Sequence, residues 1–108
     1  MGILSNVKHS DIDRGVELFG NTPGAILLDV RRPEEFYSGH IPGSYNLPLQ
    51  ELYQAEMVLE GKDRPLFVYC RSGARSRQAA GLLQRMGYMH VKNLGGIAAY
   101  RGRIEYGA

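Results

Sequence analysis

Two short stretches of this chain are apolar on consecutive residues: Ala25-Ile26-Leu27-Leu28, running on to Asp29-Val30, and Pro65-Leu66-Phe67-Val68-Tyr69. A strand with one wet face alternates apolar and polar residues, whereas a strand covered on both faces is apolar throughout. Both stretches therefore read as buried parallel strands, and the segments between them carry helical patterns. Ser10 reads as an N-cap, with Asp11 and Asp13 in the first turn and Ile12, Val16 and Phe19 at helical spacing. Gly20 and the Asn21-Thr22-Pro23-Gly24 cluster end that helix. Pro33 suits the first turn of a short helix through Glu34, Glu35 and Phe36, closed by Gly39. His40-Ile41-Pro42-Gly43 is a turn, and Tyr45-Asn46-Leu47 is extended. Leu49, Leu52, Tyr53, Glu56 and Met57 mark another helix, stopping near Gly61. A further helix runs roughly from Arg75 to Met86, with Ala79, Leu82, Leu83 and Met86 as its apolar face and Gly87 at its C-cap. Asn6 to His9 and Val91 to Leu94 read as strands, and Gly95-Gly96 as a turn into a last short helix holding Ile97 and Tyr100. Strands alternating with helices give an α/β domain with a mostly parallel sheet. In such sheets sites open beyond the carboxyl ends of strands, where Asp29 and Cys70 stand.

The 108 residues are one domain's length, and 44% hydrophobic with 22% charged residues is ordinary for a soluble fold. A net charge of +2 gives no reason to expect nucleic acid or a membrane as partner. Arg outnumbers Lys ten to three, and Arg71, Arg75, Arg77 and Arg85 lie close together. That cluster is either a solvated helix face or the lining of an anion site, for which planar guanidinium is suited. Cys70 is the one cysteine, so no internal disulfide can form, and no zinc-type spacing is present. No metal is expected, and His9, His40 and His90 read as structural. Without an apolar run of membrane-spanning length or a leader-like N-terminus, a reducing, cytoplasmic setting and a monomer are expected.

The segment Cys70-Arg71-Ser72-Gly73-Ala74-Arg75-Ser76 lies between a buried strand and a helix. A tight loop there aims successive N–H groups at its own centre, forming an anion nest. The helix N-terminus adds about half a positive charge, and Arg71 and Arg75 add full charges. A thiol at the start of the loop is pushed toward thiolate and becomes a nucleophile. The bland alternative is a buried structural cysteine. The same cradle suits a persulfide or a phosphocysteine, so this loop alone admits two chemistries.

Cys70 to Ser76 resembles the active loop of rhodanese domains. Gly39-His40-Ile41-Pro42-Gly43-Ser44-Tyr45-Asn46-Leu47-Pro48, Leu28-Asp29-Val30-Arg31 followed by Glu35-Phe36, and Asn93-Leu94-Gly95-Gly96-Ile97 resemble three further blocks of that family, in its order. The resemblance implies a rhodanese-like three-layer domain spanning residues 1–108, with a five-stranded parallel sheet flanked by helices. It implies double displacement: Cys70 takes the outer sulfur of a small-molecule donor such as thiosulfate, holds it as a persulfide, and passes it to cyanide, a thiol or a protein acceptor. The loop amides from Arg71 to Ser76 would hold the persulfide, Arg75 would help bind an anionic donor or leaving group, and no cofactor is required. Related cysteine phosphatases and arsenate reductases have five residues before the closing Arg; here four, Arg71 to Ala74, precede Arg75, which favours sulfur. Some thiosulfate-specialised relatives carry Lys where Ser72 stands, and Trp is common where Tyr100 stands.

Other readings stay beside this one: a persulfide relay module that takes sulfur from a partner protein, a phosphatase or arsenate reductase, and an inactive regulatory domain. Asp29 reads as bonding backbone amides in the turn after its strand, with orienting loop groups or pairing with an Arg as alternatives. Arg31 and Glu35 are expected to pair across one helical turn, with Arg31 facing substrate as the alternative. His40 reads as part of a structural turn, Tyr45 and Tyr69 as packing residues, and Gly95 and Gly96 as sites of close backbone approach.

Overall fold

The structure, a computed structural model, describes residues 11–108. Helix α1, Asp11–Gly20, carries Asp11 and Asp13 in its first turn, where carboxylates meet the positive end of the helix. Strand β1, Ile26–Asp29, is followed by α2, Pro33–Tyr37, and by the short strand β2, Ser44–Asn46. A 3-10 segment, Leu49–Gln54, runs into α3, Ala55–Val58. Then come β3, Pro65–Cys70, α4, Ala74–Arg85, β4, His90–Gly96, and a closing 3-10 turn, Ile97–Ala99.

The sheet order is β2-β1-β3-β4, and every neighbouring pair is parallel. From β1 the chain steps outward through α2 to β2, and from β3 it steps the other way through α4 to β4. The connections after β1 and β3 therefore diverge, leaving a crevice at the carboxyl ends of the two central strands. Asp29 lies beside Tyr69 there, one residue before Cys70.

Strand alternation explains why both faces are apolar. Leu28, Val30, Leu66, Val68 and Cys70 point to one side, where Leu52, Ala55, Leu59, Ala79, Leu83 and Tyr88 cover them. Leu27, Phe67 and Tyr69 point to the other, under Ile12, Ile41 and Leu94, with Val16, Phe19, Ile97 and Tyr100 packed around. A Cβ at Gly15 would collide with the Leu94 side chain, so α1 sits on β4 at a distance only glycine allows. Among the described residues no helix is long and apolar enough to cross a membrane.

Three expectations are revised. The described residues form four strands rather than five; Asn6 to His9, read as a strand, and Ser10, read as an N-cap, lie outside them. Gly95 and Gly96 belong to β4 instead of a turn, because a register shift opposite Val68 and Tyr69 lets the strand continue to pair with Cys70. Tyr45 does not pack inside: on the edge strand β2 it is 46% exposed.

Candidate active site

Cys70 ends β3, and the chain must turn at once into α4. Gly73 makes that turn possible: at φ +106° it occupies a region that side chains disfavour, and it caps α4, its carbonyl accepting the Arg77 N–H at 3.0 Å. The same turn points the Gly73 N–H back at the cysteine, 3.0 Å from Sγ. From the first turn of α4 the Ser76 hydroxyl also reaches Sγ, at 3.4 Å. That hydroxyl lies within reach of the Gly73 carbonyl (3.1 Å) and the Gly95 carbonyl (3.3 Å) as well. One proton serves three acceptors, so it turns to the sulfur when the sulfur is charged.

These donors decide the state of the thiol. Burial pushes the Cys70 thiol up, for the residue is only 1% exposed. Bonds from the Ser76 hydroxyl and from the backbone N–H groups of Ser76, Gly73 and Ser72 outweigh it, and the net shift is downward. The result is a sheltered thiol in a ring of donors that favour its ionised form, the condition for nucleophilic and persulfide chemistry.

The loop is held from below by the end of β4 and the 3-10 turn that follows it. The Ala98 N–H donates to the Arg71 carbonyl at 3.1 Å. A Cβ on Gly96 would fall on the Arg71 carbonyl oxygen and the Ser72 Cα, so backbone meets backbone with no room for a side chain. Close approach, expected of this glycine pair, is what Gly96 provides. Arg71 and Ser72 line one side of an open depression of about 310 Å³, and Gly96, Ala98 and Ala99 line the other.

The loop arginines differ. Arg71 is exposed, with no ion pair among the described residues. Arg75 is ion-paired: its Nη1 and Nη2 meet Glu35 Oε1 and Oε2 at 2.8 and 3.0 Å. Glu35 does not pair with Arg31, as its spacing suggested, because Arg31 turns back to the strand it follows. The Arg31 Nη2 donates to Asp29 Oδ2 and to the Gly39 carbonyl, each at 2.7 Å, and its Nε meets Asp29 Oδ1 at 3.0 Å. Asp29 Oδ1 also accepts the Arg31 backbone N–H at 2.9 Å, so Asp29 both bonds a backbone amide and pairs with an Arg. This pair is buried and ties the turn after β1 to the Gly39 turn; it stands beneath the crevice and faces the Tyr69 ring. Sequence reasoning missed the Glu35–Arg75 bond. The two residues stand forty positions apart, and no local spacing connects them.

The neighbouring residues are structural. His40 is buried, stacks on Phe36 at 3.7 Å between ring centroids, and bonds the Phe36 carbonyl through Nδ1 at 2.9 Å. The Tyr69 hydroxyl accepts the Ile41 N–H and donates to Ser44 Oγ, both at 3.1 Å, fixing the turn before β2. Among the described residues no cluster of three or more His, Cys, Asp or Glu could hold a metal.

Comparison with known proteins fits this geometry. The family described as Rhodanese-like domain matches residues 16–103. A protein named "Sulfurtransferase" from Allochromatium vinosum is 40% identical over 95 residues, covering 87% of this chain and 88% of its own length. Thiosulfate sulfurtransferase PspE of Escherichia coli is 39% identical over 71 residues, covering 65% of this chain and 68% of its own. YqhL of Bacillus subtilis is 40% identical over 82 residues, and the alignment takes in 75% of this chain but only 64% of that protein. A solved structure described as a rhodanese with anions, from E. coli, superposes with a TM-score of 0.72 at 34% identity, over 77% of this chain and 99% of that one. A family match over most of the chain, on a parallel sheet whose central strand ends in the cysteine loop, leaves one assignment: the chain belongs to the rhodanese-like domain family.

Proposed function

We propose that this protein is a sulfurtransferase that moves sulfane sulfur from a donor to a thiophilic acceptor through a persulfide on Cys70. The observation that carries this is the convergence of the Gly73 N–H and the Ser76 hydroxyl on a buried Sγ whose pKa is lowered despite burial. Relatives named sulfurtransferases support it.

With thiosulfate as donor, the Cys70 thiolate attacks the outer sulfur, a Cys70 S–S bond forms, and the S–S bond of the donor breaks. Sulfite leaves with the electron pair, and the negative charge on the enzyme moves one atom outward. The extended anion stays inside the ring of loop amides, so the site is arranged for the intermediate as well as for the free thiolate. In the second half an acceptor attacks the outer sulfur and Cys70 leaves as thiolate, stabilised by the donors that lowered its pKa. The cyanide product is thiocyanate; a thiol acceptor becomes a persulfide. No cofactor takes part, and no external oxidant is needed.

The four residues between Cys70 and Arg75 favour sulfur over the larger phosphoryl group. The test is intact mass after incubation with thiosulfate and removal of excess. The expected result is a gain of one sulfur atom, discharged by cyanide and absent in Cys70→Ala. An unmodified mass with both thiosulfate and thiol persulfides, or Cys70-dependent turnover of an aryl phosphate instead, overturns the proposal.

A further inference from the structure

The charge around the loop is largely cancelled before any donor arrives. Arg75 has given both terminal nitrogens to Glu35. Glu35 is well placed to keep them: from α2 its Oε1 also accepts the Arg32 N–H at 3.0 Å, which fixes the carboxylate opposite the start of α4. The bond to Arg75, opposed by partial burial and helped by the Arg32 N–H, lowers the Glu35 pKa to about 2, so the carboxylate is charged at any working pH. Arg31 is spent on Asp29 in the same way. Ser72, near the centre of the loop, has no charge, which leaves Arg71 as the loop cation without an ion pair among the described residues. Within the loop, Arg71 is then the side-chain cation left to meet an anionic donor. Thiosulfate brings two negative charges to the loop; the hydropersulfide of a thiol, R–S–SH, brings none at its reacting end when protonated and one when ionised.

We propose that Glu35 sets the donor class of this site: by holding the guanidinium of Arg75, it withholds that group from anionic donors, and the loop takes thiol hydropersulfides in preference to thiosulfate. The inference rests on the sulfurtransferase reading above. Glu35 acts through Arg75 and is a positioning residue. The transfer balances without a redox partner: the Cys70 thiolate attacks the outer sulfur of R–S–SH, the R–S bond to that sulfur breaks, and the thiolate RS⁻ leaves and takes up the persulfide proton. Cys70–S–S⁻ and RSH remain.

The test measures loading of Cys70 by intact mass against donor concentration, in the wild-type chain and in Glu35→Gln. Gln keeps a carbonyl oxygen for the Arg32 N–H and removes the charge together with the second oxygen that accepts Arg75 Nη2. The donors are thiosulfate, the hydropersulfide of 2-mercaptoethanol, and persulfidated serum albumin; the last two separate a small carrier from a protein one. In the wild type, half-saturation with a hydropersulfide is expected at a concentration about tenfold or more below that for thiosulfate. In Glu35→Gln the thiosulfate KM is expected to fall several-fold relative to the hydropersulfide KM, because one cation is released. A purely structural role for Glu35 would instead lower both loading rates together. If no donor loads Cys70 in the wild type, the sulfurtransferase reading and this inference fall together. If the donors load but thiosulfate saturates as readily as the hydropersulfides, or if the KM ratio is the same in Glu35→Gln, this inference alone is overturned. Should Glu35→Gln not fold, the double variant Glu35→Gln/Arg75→Gln removes the pair as a unit and is expected to keep the wild-type ratio of thiosulfate to hydropersulfide KM; a several-fold change in that ratio overturns the inference.

Discussion

At the scale of single residues, the site depends on who donates to whom. Ser76 is the side chain that bonds Cys70 Sγ, and a hydrogen bond to a charged group contributes roughly 1.5–3 kcal/mol. Ser76→Ala should raise the thiol pKa and cut the thiolate fraction at neutral pH about tenfold. The rate of iodoacetamide alkylation against pH reads this directly, and an unchanged profile would show that the backbone amides suffice. Asp29 has a different part. Its carboxylate is wholly buried against the Arg31 guanidinium, so Asp29→Ala strands a buried cation, which costs about 3–5 kcal/mol. Urea unfolding should show that loss. A loss below about 1 kcal/mol would mean that Arg31 finds water or another partner.

At the scale of elements, what the sequence disclosed and what it hid divide along a physical line. The two apolar strands were legible because burial on both faces leaves no polar residue to hide them, and the Cys70 loop because a strand meeting a helix within four residues leaves few conformations open. The end of α4 was legible to within one residue: the C-cap is Met86, and Gly87, expected there, follows it with a positive φ. What stayed hidden are relations between elements distant in sequence: Glu35 of α2 with Arg75 of α4, and the register shift that carries Gly95 and Gly96 into β4. Spacing rules report neighbours on one element and are silent across two, so Arg31, two residues from Asp29 and four from Glu35, was assigned the wrong partner. The junction of β4 with the loop makes its own prediction. Gly96→Ala places a methyl group on backbone atoms of Arg71 and Ser72 that cannot rotate away. It should destabilise the fold by about 1–3 kcal/mol, as overpacking does. It should also displace the loop, so that alkylation of Cys70 slows and loses its low-pH onset. A variant of reduced stability with an unchanged alkylation profile would show that the loop holds its shape without the strand beneath it.

At the scale of the whole molecule, three groups placed by α2 and β3 titrate in separate windows, and each leaves a signed mark on stability. Glu35 has an ordinary value of 4.5 and about 2 in the fold; the unfolded chain binds its proton first, so stability from this group is present above pH 5 and is lost as pH falls toward 2. Cys70 is also lowered, so it contributes stability that is full above the ordinary thiol range, about 8.5, and is lost as pH falls through its folded value. Tyr69 runs the other way. Burial first, and then the charge of Asp29, raises its phenol, so its contribution is full below about pH 10 and is lost at higher pH. Urea midpoints measured across this range should rise from acid, rise again as the thiol range is approached, and fall beyond the ordinary phenol value. Differences between variants are the deciding quantity. Glu35→Gln should flatten the acid limb relative to wild type, Cys70→Ala should remove the rise toward pH 8.5, and Tyr69→Phe should reduce the alkaline fall. The Cys70 window matters most for function, since the free energy that stabilises the folded thiolate is the same quantity that makes the thiol a ready leaving group. If Cys70→Ala and wild type run parallel between pH 6 and 9, the thiol carries no perturbation, and the loop is not arranged for an anion on that sulfur.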